Sequence, residues 1–255
     1  GGDHAAMASN SQYMANISFA SSILYKLTGN SYYATEAANA IRYTLNCQRT
    51  EPLKDKDKLR GFFYRDLNKK SIVHYTHQSR DQVYMQALTM LCKTQAGHAD
   101  YNKWKASIRL YGNYLKTIMQ YVQPYGMVPS GIYHIDEVKD SVNFYKVQVG
   151  VFSGAAQDYK EHLENGVRLD KEHYLRVFPV WFSFKGNAAV HLSTGKAAAL
   201  AGKFLHDKEL MNIAEQQLFW IVGKNPFGQS LIWGEGSNYP QLYTALPGET
   251  VGGIP

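Results

Sequence analysis

Apolar residues that recur every three or four positions are the sequence feature that most restricts the fold. A window with this period predicts a helix with one apolar face. The first such window has apolar residues at Tyr13, Ile17, Ala20, Leu24 and Leu27. Five further windows lie at about 34–45, 83–90, 104–122, 187–205 and 211–221. The chain is therefore predicted to be mainly α-helical.

The six predicted helices fall into three pairs, because the connection within each pair is short. The connections are "TGNS" (28–31), "QAGHAD" (95–100) and "LHDKE" (205–209). Short connections place consecutive helices side by side and antiparallel. We predict three helical hairpins, over about 5–47, 79–122 and 187–223.

Two long irregular segments, 48–78 and 123–186, separate the hairpins. The second contains "GMVPSGIYHI" (126–135) and "YKVQVGVF" (145–152), whose glycines and β-branched or aromatic residues predict short strands. It also contains "GAAQDYKEHLENG" (154–166), which predicts one or two further helical turns. Connections of this length are usually functional in a compact domain. We expect a helical scaffold whose loops gather at one end and form the site.

The composition is that of a globular domain. Of the 255 residues, 45% are hydrophobic and 19% are charged, and no apolar run approaches the length of a membrane-spanning helix. The formal net charge of +6 is modest for this length. The densest charged stretch, "RTEPLKDKDKLR" (49–60), mixes both signs, which is typical of a solvated loop. We expect no nucleic acid partner and no insertion into a membrane.

Neither the cysteines nor the histidines are spaced as metal ligands. Cys47 and Cys92 could pair in an oxidising compartment, but a buried thiol on each of two helices is the favoured interpretation. The histidines are scattered, and His74 and His77 lack a third partner at a ligand-like position. The sequence contains no phosphate-binding loop, nucleophile elbow or dinucleotide fingerprint. We expect no metal and no cofactor.

Three segments together carry a family resemblance. They are "GGDHAAMASNSQYMANISFASSILYKLTGNSYY" (1–33), "FPVWFSFKGNAAVHLS" (178–193) and "QLFWIVGKNPFGQSLIWGEGSNYPQ" (217–241). In order and approximate spacing they resemble glycoside hydrolase family 9, the cellulase-type enzymes. The last segment is the most specific, because it combines Asn-Pro with a glycine loop. The resemblance extends over nearly the whole chain.

The resemblance implies an all-α fold, an (α/α)6 toroid of antiparallel hairpins with long loops and short strands at one end. Residues 1–255 would form a single toroid domain that is part of a larger chain. The implied activity is inverting hydrolysis of a β-linked poly- or oligosaccharide, in the periplasm or outside the cell. Two alternatives stay open: a non-catalytic glycan-binding helical domain, and another toroid enzyme such as an uronyl hydrolase or a polysaccharide lyase.

The resemblance places the catalytic groups of the family outside this chain. The family's Asp-Ala-Gly-Asp motif lies upstream of the first segment, and its acid Glu lies downstream of Pro255. Inside the chain, the carboxyl candidates are Asp3, Asp81 and Glu235. Asp3 is expected to cap a helix, and Asp81 to cap a helix or pair with Arg80. For Glu235, in the glycine loop, stabilisation of a turn and contact with a substrate are equally plausible. The chain alone is therefore expected to be a weak catalyst.

Aromatic residues are better candidates for a substrate site. Sugar rings have an apolar face and a rim of hydroxyl groups, so an aromatic ring with nearby polar donors binds them. In the resemblance, Trp181 matches the family's Trp and Lys185 stands where the family has Arg. An acidic sugar would require converging Arg and Lys side chains, for which Lys185 and Arg80 are the evident candidates. The predicted substrate-binding residues are Trp181, Lys185, Trp233, Tyr239 and Arg80. The partners expected are a saccharide and the remainder of the catalytic domain.

Overall fold

A computed structural model describes residues 9–73, 81–140, 153–177, 187–239 and 251–253. Its α-helices are α1 (Asn10–Thr28), α2 (Ser31–Asn46), α3 (Gln82–Thr94), α4 (Tyr101–Ile118), α5 (Ala155–Glu164), α6 (Asn187–Leu205) and α7 (Lys208–Ile221). The mainly α-helical class is thus confirmed. The six predicted helices are present, and α5 is a longer helix than the one or two turns predicted there.

The helices of each predicted hairpin pack against each other. In α1 and α2, Ser18 Oγ donates to the carbonyl of Ala37 at 2.9 Å and Thr44 Oγ1 to that of Ser11 at 2.9 Å, so the two helices run antiparallel. Helices α6 and α7 approach closely at Gly202, where an added Cβ would lie 3.0 Å from the amide nitrogen of Met211. Small residues on α6 therefore permit this packing.

Helices α1, α3 and α6 lie next to one another with their N-termini at the same end. Near these N-termini, Ser11 Oγ and Tyr84 OH are hydrogen-bonded at 2.8 Å, which joins α1 to α3. Ser193 donates to Gln82, which joins α6 to α3. Because the partner of each helix runs antiparallel, the C-termini of α2, α4 and α7 lie at this end as well. We call it the loop end, since the long connections leave the scaffold there.

A small antiparallel sheet belongs to the loop end. It has the order β1-β3-β2, with β1 at Gly131–His134, β2 at Val167–Arg168 and β3 at His173–Arg176. The register pairs Tyr133 with Tyr174. Strand β1 confirms the strand predicted in 126–135, whereas the one predicted at 145–152 lies outside the described residues. Strand β3, "HYLR", was not predicted, because four residues are too few to show a period.

Helix α3 forms the centre of the core. Its Tyr84, Met85, Leu88 and Leu91 are completely buried, and they belong to one cluster that includes Trp104 of α4. Both cysteines are free and buried. Burial raises the pKa of Cys47 and of Cys92 to about 12, so both thiols stay protonated at neutral pH. The buried-thiol interpretation describes this structure.

The apolar stripe predicted for α1 faces outwards. Its exposed members include Ile17 (47% exposed) and Leu27 (76%). The opposite face packs on α2 and α3 through small residues, Ser11, Ala15, Ser18 and Ser22. Small side chains let neighbouring helices approach closely, so packing here does not follow hydrophobicity.

Helix α7 likewise exposes Leu218, Phe219 and Val222. Within the described part, no helix has the length and hydrophobicity needed to cross a membrane.

Candidate functional site

The N-terminus of α3 borders a small cavity at the loop end. Its lining includes Asp81, Tyr114 of α4, Gly131 of β1, and Val190 and Thr194 of α6. The cavity measures about 20 Å³, enough for one water molecule. The helices therefore bring a carboxyl group, a phenol and a hydroxyl together at this end.

Asp81 does not cap α3, which corrects one of the two roles expected from sequence; the other, pairing with Arg80, involves a residue outside the described ranges. It occupies the N-cap position in a helical backbone conformation, and its side chain makes no capping hydrogen bond. Instead, Tyr111 OH of α4 donates to Asp81 Oδ2 at 2.9 Å. Burial raises the pKa of Asp81 to about 6, although the hydrogen bond from Tyr111 favours the carboxylate. Asp81 therefore titrates near neutral pH, the range in which acid/base catalysis operates.

Replacing Asp81 by Asn is expected to stabilise the chain above pH 6. The raised pKa means that the folded state binds the proton more tightly than the unfolded state, so stability falls as pH rises from 3.8 to about 6. Asn is uncharged and can still accept the Tyr111 hydrogen bond. We expect Asp81→Asn to gain roughly 3 kcal/mol of unfolding free energy at pH 7.5 and nothing below pH about 3.8. Urea denaturation of both proteins across this range measures the difference. A gain that persists undiminished at low pH would contradict the buried-charge explanation.

A second buried group of charges holds the 65–72 segment against the sheet. Arg65 is 3% exposed, and burial lowers its pKa while the negative potential of Glu137, Asp66 and Asp140 opposes that change. Glu137 Oε1 accepts the backbone amide of His134 at 3.1 Å, and Ser71 Oγ donates to Asp140 Oδ2 at 3.0 Å. Sequence reasoning missed this group, whose signal was an Arg directly after the aromatic run "FFY". Its role is to fix the loop end.

The glycine loop, residues 223–239, follows α7 and is organised by Asn225. Helix α7 ends at Ile221, and Gly223 adopts a φ of 119°, which favours glycine. Asn225 is 5% exposed. Its Nδ2 donates to the carbonyls of Trp220 and Gln229 at 2.9 and 2.7 Å, and its Oδ1 accepts the amide of Phe227 at 3.1 Å. One buried side chain thus fixes both arms of the loop.

The glycine loop presents aromatic rings to solvent. Trp233 and Tyr239 meet edge to face, with ring centroids 6.4 Å apart, and Tyr239 is 41% exposed. The Trp233 amide donates to the carbonyl of Gly253 at 3.0 Å, and the Gly252 amide donates to the carbonyl of Trp233 at 2.9 Å. These two hydrogen bonds hold the backbone of Trp233 in place. Glu235 is exposed on the same loop. The loop can therefore offer an accessible aromatic surface beside a carboxylate.

A buried amide links the glycine loop's helix to the rest of the loop end. Gln217 of α7 is fully buried. Its Nε2 donates to the carbonyl of Gly126 at 2.9 Å, and its Oε1 accepts the Val128 amide at 2.8 Å and His191 Nε2 of α6 at 2.6 Å. Burial lowers the pKa of His191 to about 4, so this imidazole is neutral at neutral pH. Neither residue lies in a spacing pattern that indicates a site from sequence.

The remaining predicted site residues, Asp3, Arg80, Trp181 and Lys185, lie outside the described residues, so their roles stay predictions. The structure does bring Asp81 and the glycine loop to the same end of the scaffold, since Met127, Ala188, Trp220 and Ile221 pack together there. Among the described residues, no group of three or more His, Cys, Asp or Glu side chains could hold a metal ion.

Comparison with known proteins identifies one family. The family model described as Glycosyl hydrolase family 9 matches residues 3–244, which is most of the chain. A search of curated proteins finds no match.

Proposed function

Because the chain belongs to glycosyl hydrolase family 9, we propose that it acts in the hydrolysis of a β-linked poly- or oligosaccharide by an inverting acid/base mechanism. Its own contribution is a set of substrate-binding subsites at the loop end. The observation that carries this proposal is the Trp233–Tyr239 pair, in which Trp233 is half-buried and Tyr239 is exposed, on a loop that Asn225 fixes. The family membership supports a glycoside hydrolase; the substrate class and the stereochemical course are proposals.

The aromatic pair suits a sugar for a physical reason. The C–H face of a pyranose is apolar and stacks on an indole, while polar groups at the ring edge exchange hydrogen bonds with its hydroxyl groups. On the glycine loop, Trp233 supplies the ring, and Glu235 and the Tyr239 hydroxyl supply polar atoms. A ring fixed before the ligand arrives loses little conformational entropy on binding. Trp181 and Lys185 are proposed as further substrate-binding residues, as the resemblance implies.

Trp233→Ala is expected to weaken binding of a neutral β-linked oligosaccharide by roughly 1–3 kcal/mol, by analogy with aromatic stacking on nucleic acid bases. Trp233→Phe should recover much of the loss, because the phenyl ring retains an apolar face. Trp181→Ala is expected to act similarly. Isothermal titration calorimetry with cellotetraose measures each variant.

The matched control is Tyr32→Ala, which removes a ring that is 61% exposed at the opposite end of the α1–α2 hairpin. It should leave the affinity for cellotetraose unchanged. If Trp233→Ala retained full affinity but unfolded at a lower temperature, the indole would be a packing residue and the subsite proposal would fail.

Asp81 supports a second candidate for the chemistry. Inverting hydrolysis needs one carboxylic acid and one carboxylate, roughly 6.5–9.5 Å apart. A carboxyl group whose pKa burial raises to about 6 can exchange a proton near neutral pH. This observation favours an acid/base role for Asp81 over Glu235, which is exposed.

A non-catalytic glycan-binding domain would share the aromatic loop but would show no turnover in any longer form.

The exposed apolar faces of α1 and α7 support a further part of the proposal, that additional helices of the same catalytic domain pack on this chain. Ile17, Leu24 and Leu27 form one such face, and Leu218 and Val222 belong to the other. Apolar patches of this kind usually mark contact surfaces. Helical hairpins placed there would extend the arc of α1, α3 and α6 towards a toroid.

A polysaccharide substrate cannot enter a cell, so we propose that the protein acts outside the cytoplasm.

A further inference from the structure

An open cleft with basic walls lies beside the sheet, apart from the glycine loop. Its volume is about 770 Å³, within the range of small-molecule sites. Five cationic side chains line it: Arg49, Lys54, Lys69, Arg168 and Lys171. They come from three segments that are far apart in the sequence. Among the described residues, none of the five forms an ion pair with a carboxylate. The cleft therefore has cationic side chains that no described carboxylate pairs with directly.

Two guanidinium groups of the cleft are held in place by neutral acceptors. Arg49 Nε donates to the carbonyl of Glu51 at 2.6 Å, and its Nη1 donates to Tyr64 OH at 3.2 Å. Arg168 Nε donates to the carbonyl of Asp170 at 3.0 Å. These bonds orient each side chain and leave N–H groups available for an anionic ligand. A planar guanidinium can bind a carboxylate or sulfate with two parallel hydrogen bonds.

The two acids that line the cleft are engaged with histidines. Asp170 accepts the backbone amides of Glu172 and His173 at 2.8 Å each, and its Oδ1 lies 2.9 Å from His173 Nδ1. Glu172 Oε2 lies 3.5 Å from His134 Nε2. The acids thus stabilise the turn between β2 and β3. In all, five cationic side chains and two carboxylates line the cleft. A ligand in this cleft meets a net positive potential.

We propose that this cleft binds the carboxylate or sulfate group of an acidic sugar residue, as an additional subsite for the glycan. The proposal rests on the proposed function, and it narrows the substrate class to acidic glycans. Strand β1 connects the two sites, because Gly131 lines the Asp81 cavity and His134 lines the cleft. Three strand residues span about 10 Å, so the cleft lies about that far along the strand from the Asp81 cavity. Arg80 and Lys185 were the cations expected from sequence, whereas this cleft uses a different set.

The test is calorimetric titration of the folded chain with β-(1→4)-linked tetramannuronate and with the same tetrasaccharide after reduction of its carboxyl groups to alcohols. We expect the acidic form to bind at least about tenfold more tightly at low ionic strength, since hydrogen bonds to charged groups are the stronger class. Arg168→Gln should weaken the acidic form about tenfold, and Arg168→Gln with Lys171→Gln about a hundredfold. A sulfated galactan tetrasaccharide, which has no carboxylate, shows whether sulfate is the preferred group; preference for either anion supports the proposal.

The matched control is Arg109→Gln, an exposed Arg of α4 outside the cleft, which should leave both affinities unchanged. Equal binding of the acidic and reduced forms would overturn the proposal, and so would an Arg168→Gln variant that is folded but binds as the wild type does. Single-stranded DNA that binds as tightly as tetramannuronate would show a general polyanion surface instead. The binding of cellotetraose to the wild type and to Trp233→Ala is measured in parallel. If cellotetraose binds and the acidic preference is absent, only this inference fails; if no saccharide binds, the proposed function fails.

Discussion

Replacement of Gln217 by Leu is expected to lower the free energy of unfolding by about 4 kcal/mol. Leu has a similar volume, so the change mainly removes hydrogen bonds. It leaves the Gly126 carbonyl, the Val128 amide and His191 Nε2 without their bond to Gln217, in a region that is almost fully buried. Each buried polar group without a partner costs about 1–3 kcal/mol. Urea denaturation at pH 7.5 measures the loss.

The neighbouring residue provides the control for this prediction. Gln216 is half-exposed on the same helix, and Gln216→Leu is expected to change stability by less than about 1 kcal/mol. Gln217→Leu should also weaken cellotetraose binding much more than Gln216→Leu does. The reason is that it removes the hydrogen bonds that hold α7, the helix that leads into the glycine loop. Equal effects of the two variants would mean that the buried amide does not organise the loop end.

His191 gives this network a pH dependence of its own. Burial lowers the pKa of His191 to about 4, so the folded state binds this proton less tightly than the unfolded state does. Its contribution to stability is present above pH about 6.5 and is lost as pH falls towards 4. Asp81 acts in the opposite direction over nearly the same range. Because His191 is common to the wild type and Asp81→Asn, its effect cancels in their difference.

Local patterns in the sequence predicted the helices and their pairing, but not which face each helix buries. Period and short connections are local properties, so all three hairpins could be read from them. The apolar stripe of α1 lies on its exposed face, and its period could not show this, because a period indicates that a face is apolar and not what covers it. The buried face depends on how closely Ser18 and Ala15 let α2 and α3 approach, which only the packed structure shows.

The candidate site was predictable only where its determinants are close in sequence. Asn-Pro and the glycines indicated a loop after α7, and the loop is there. The partner of Asp81 is Tyr111, which is 30 residues away, and the expected local cap does not form. The basic cleft combines residues near 50, 69 and 170. Side chains that meet through tertiary packing leave no spacing signal, so neither could be found from sequence.

The chain by itself is expected to hydrolyse almost no β-linked glycan, although we expect it to bind one. In the resemblance to family 9, the paired aspartates and the acid Glu fall outside residues 1–255, and the Asp-Ala-Gly-Asp motif is absent from this sequence. Proton transfer by a positioned acid or base contributes roughly 10²–10⁴-fold to the rate. The rate of hydrolysis by a chain that lacks both groups should therefore be lower, by at least this factor, than the rate of a longer form of the domain that carries them. If the two losses multiply, the rate should be lower by up to the square of this factor.

A reducing-sugar assay on β-glucans and mixed hemicelluloses, run on this chain and on the longer form, measures the difference. The expected result is turnover by the longer form alone, with Trp233→Ala raising its KM. Glu235→Gln, with the exposed Glu215→Gln of α7 as its matched control, should leave kcat of the longer form unchanged if Glu235 only borders the subsite. Robust turnover by the 255 residues that Asp81→Asn abolishes would instead place the proton-transfer group in this chain. In that case the raised pKa of Asp81 is its catalytic property, and the stability that Asp81→Asn gains above pH 6 is the stability that the wild type gives up for activity.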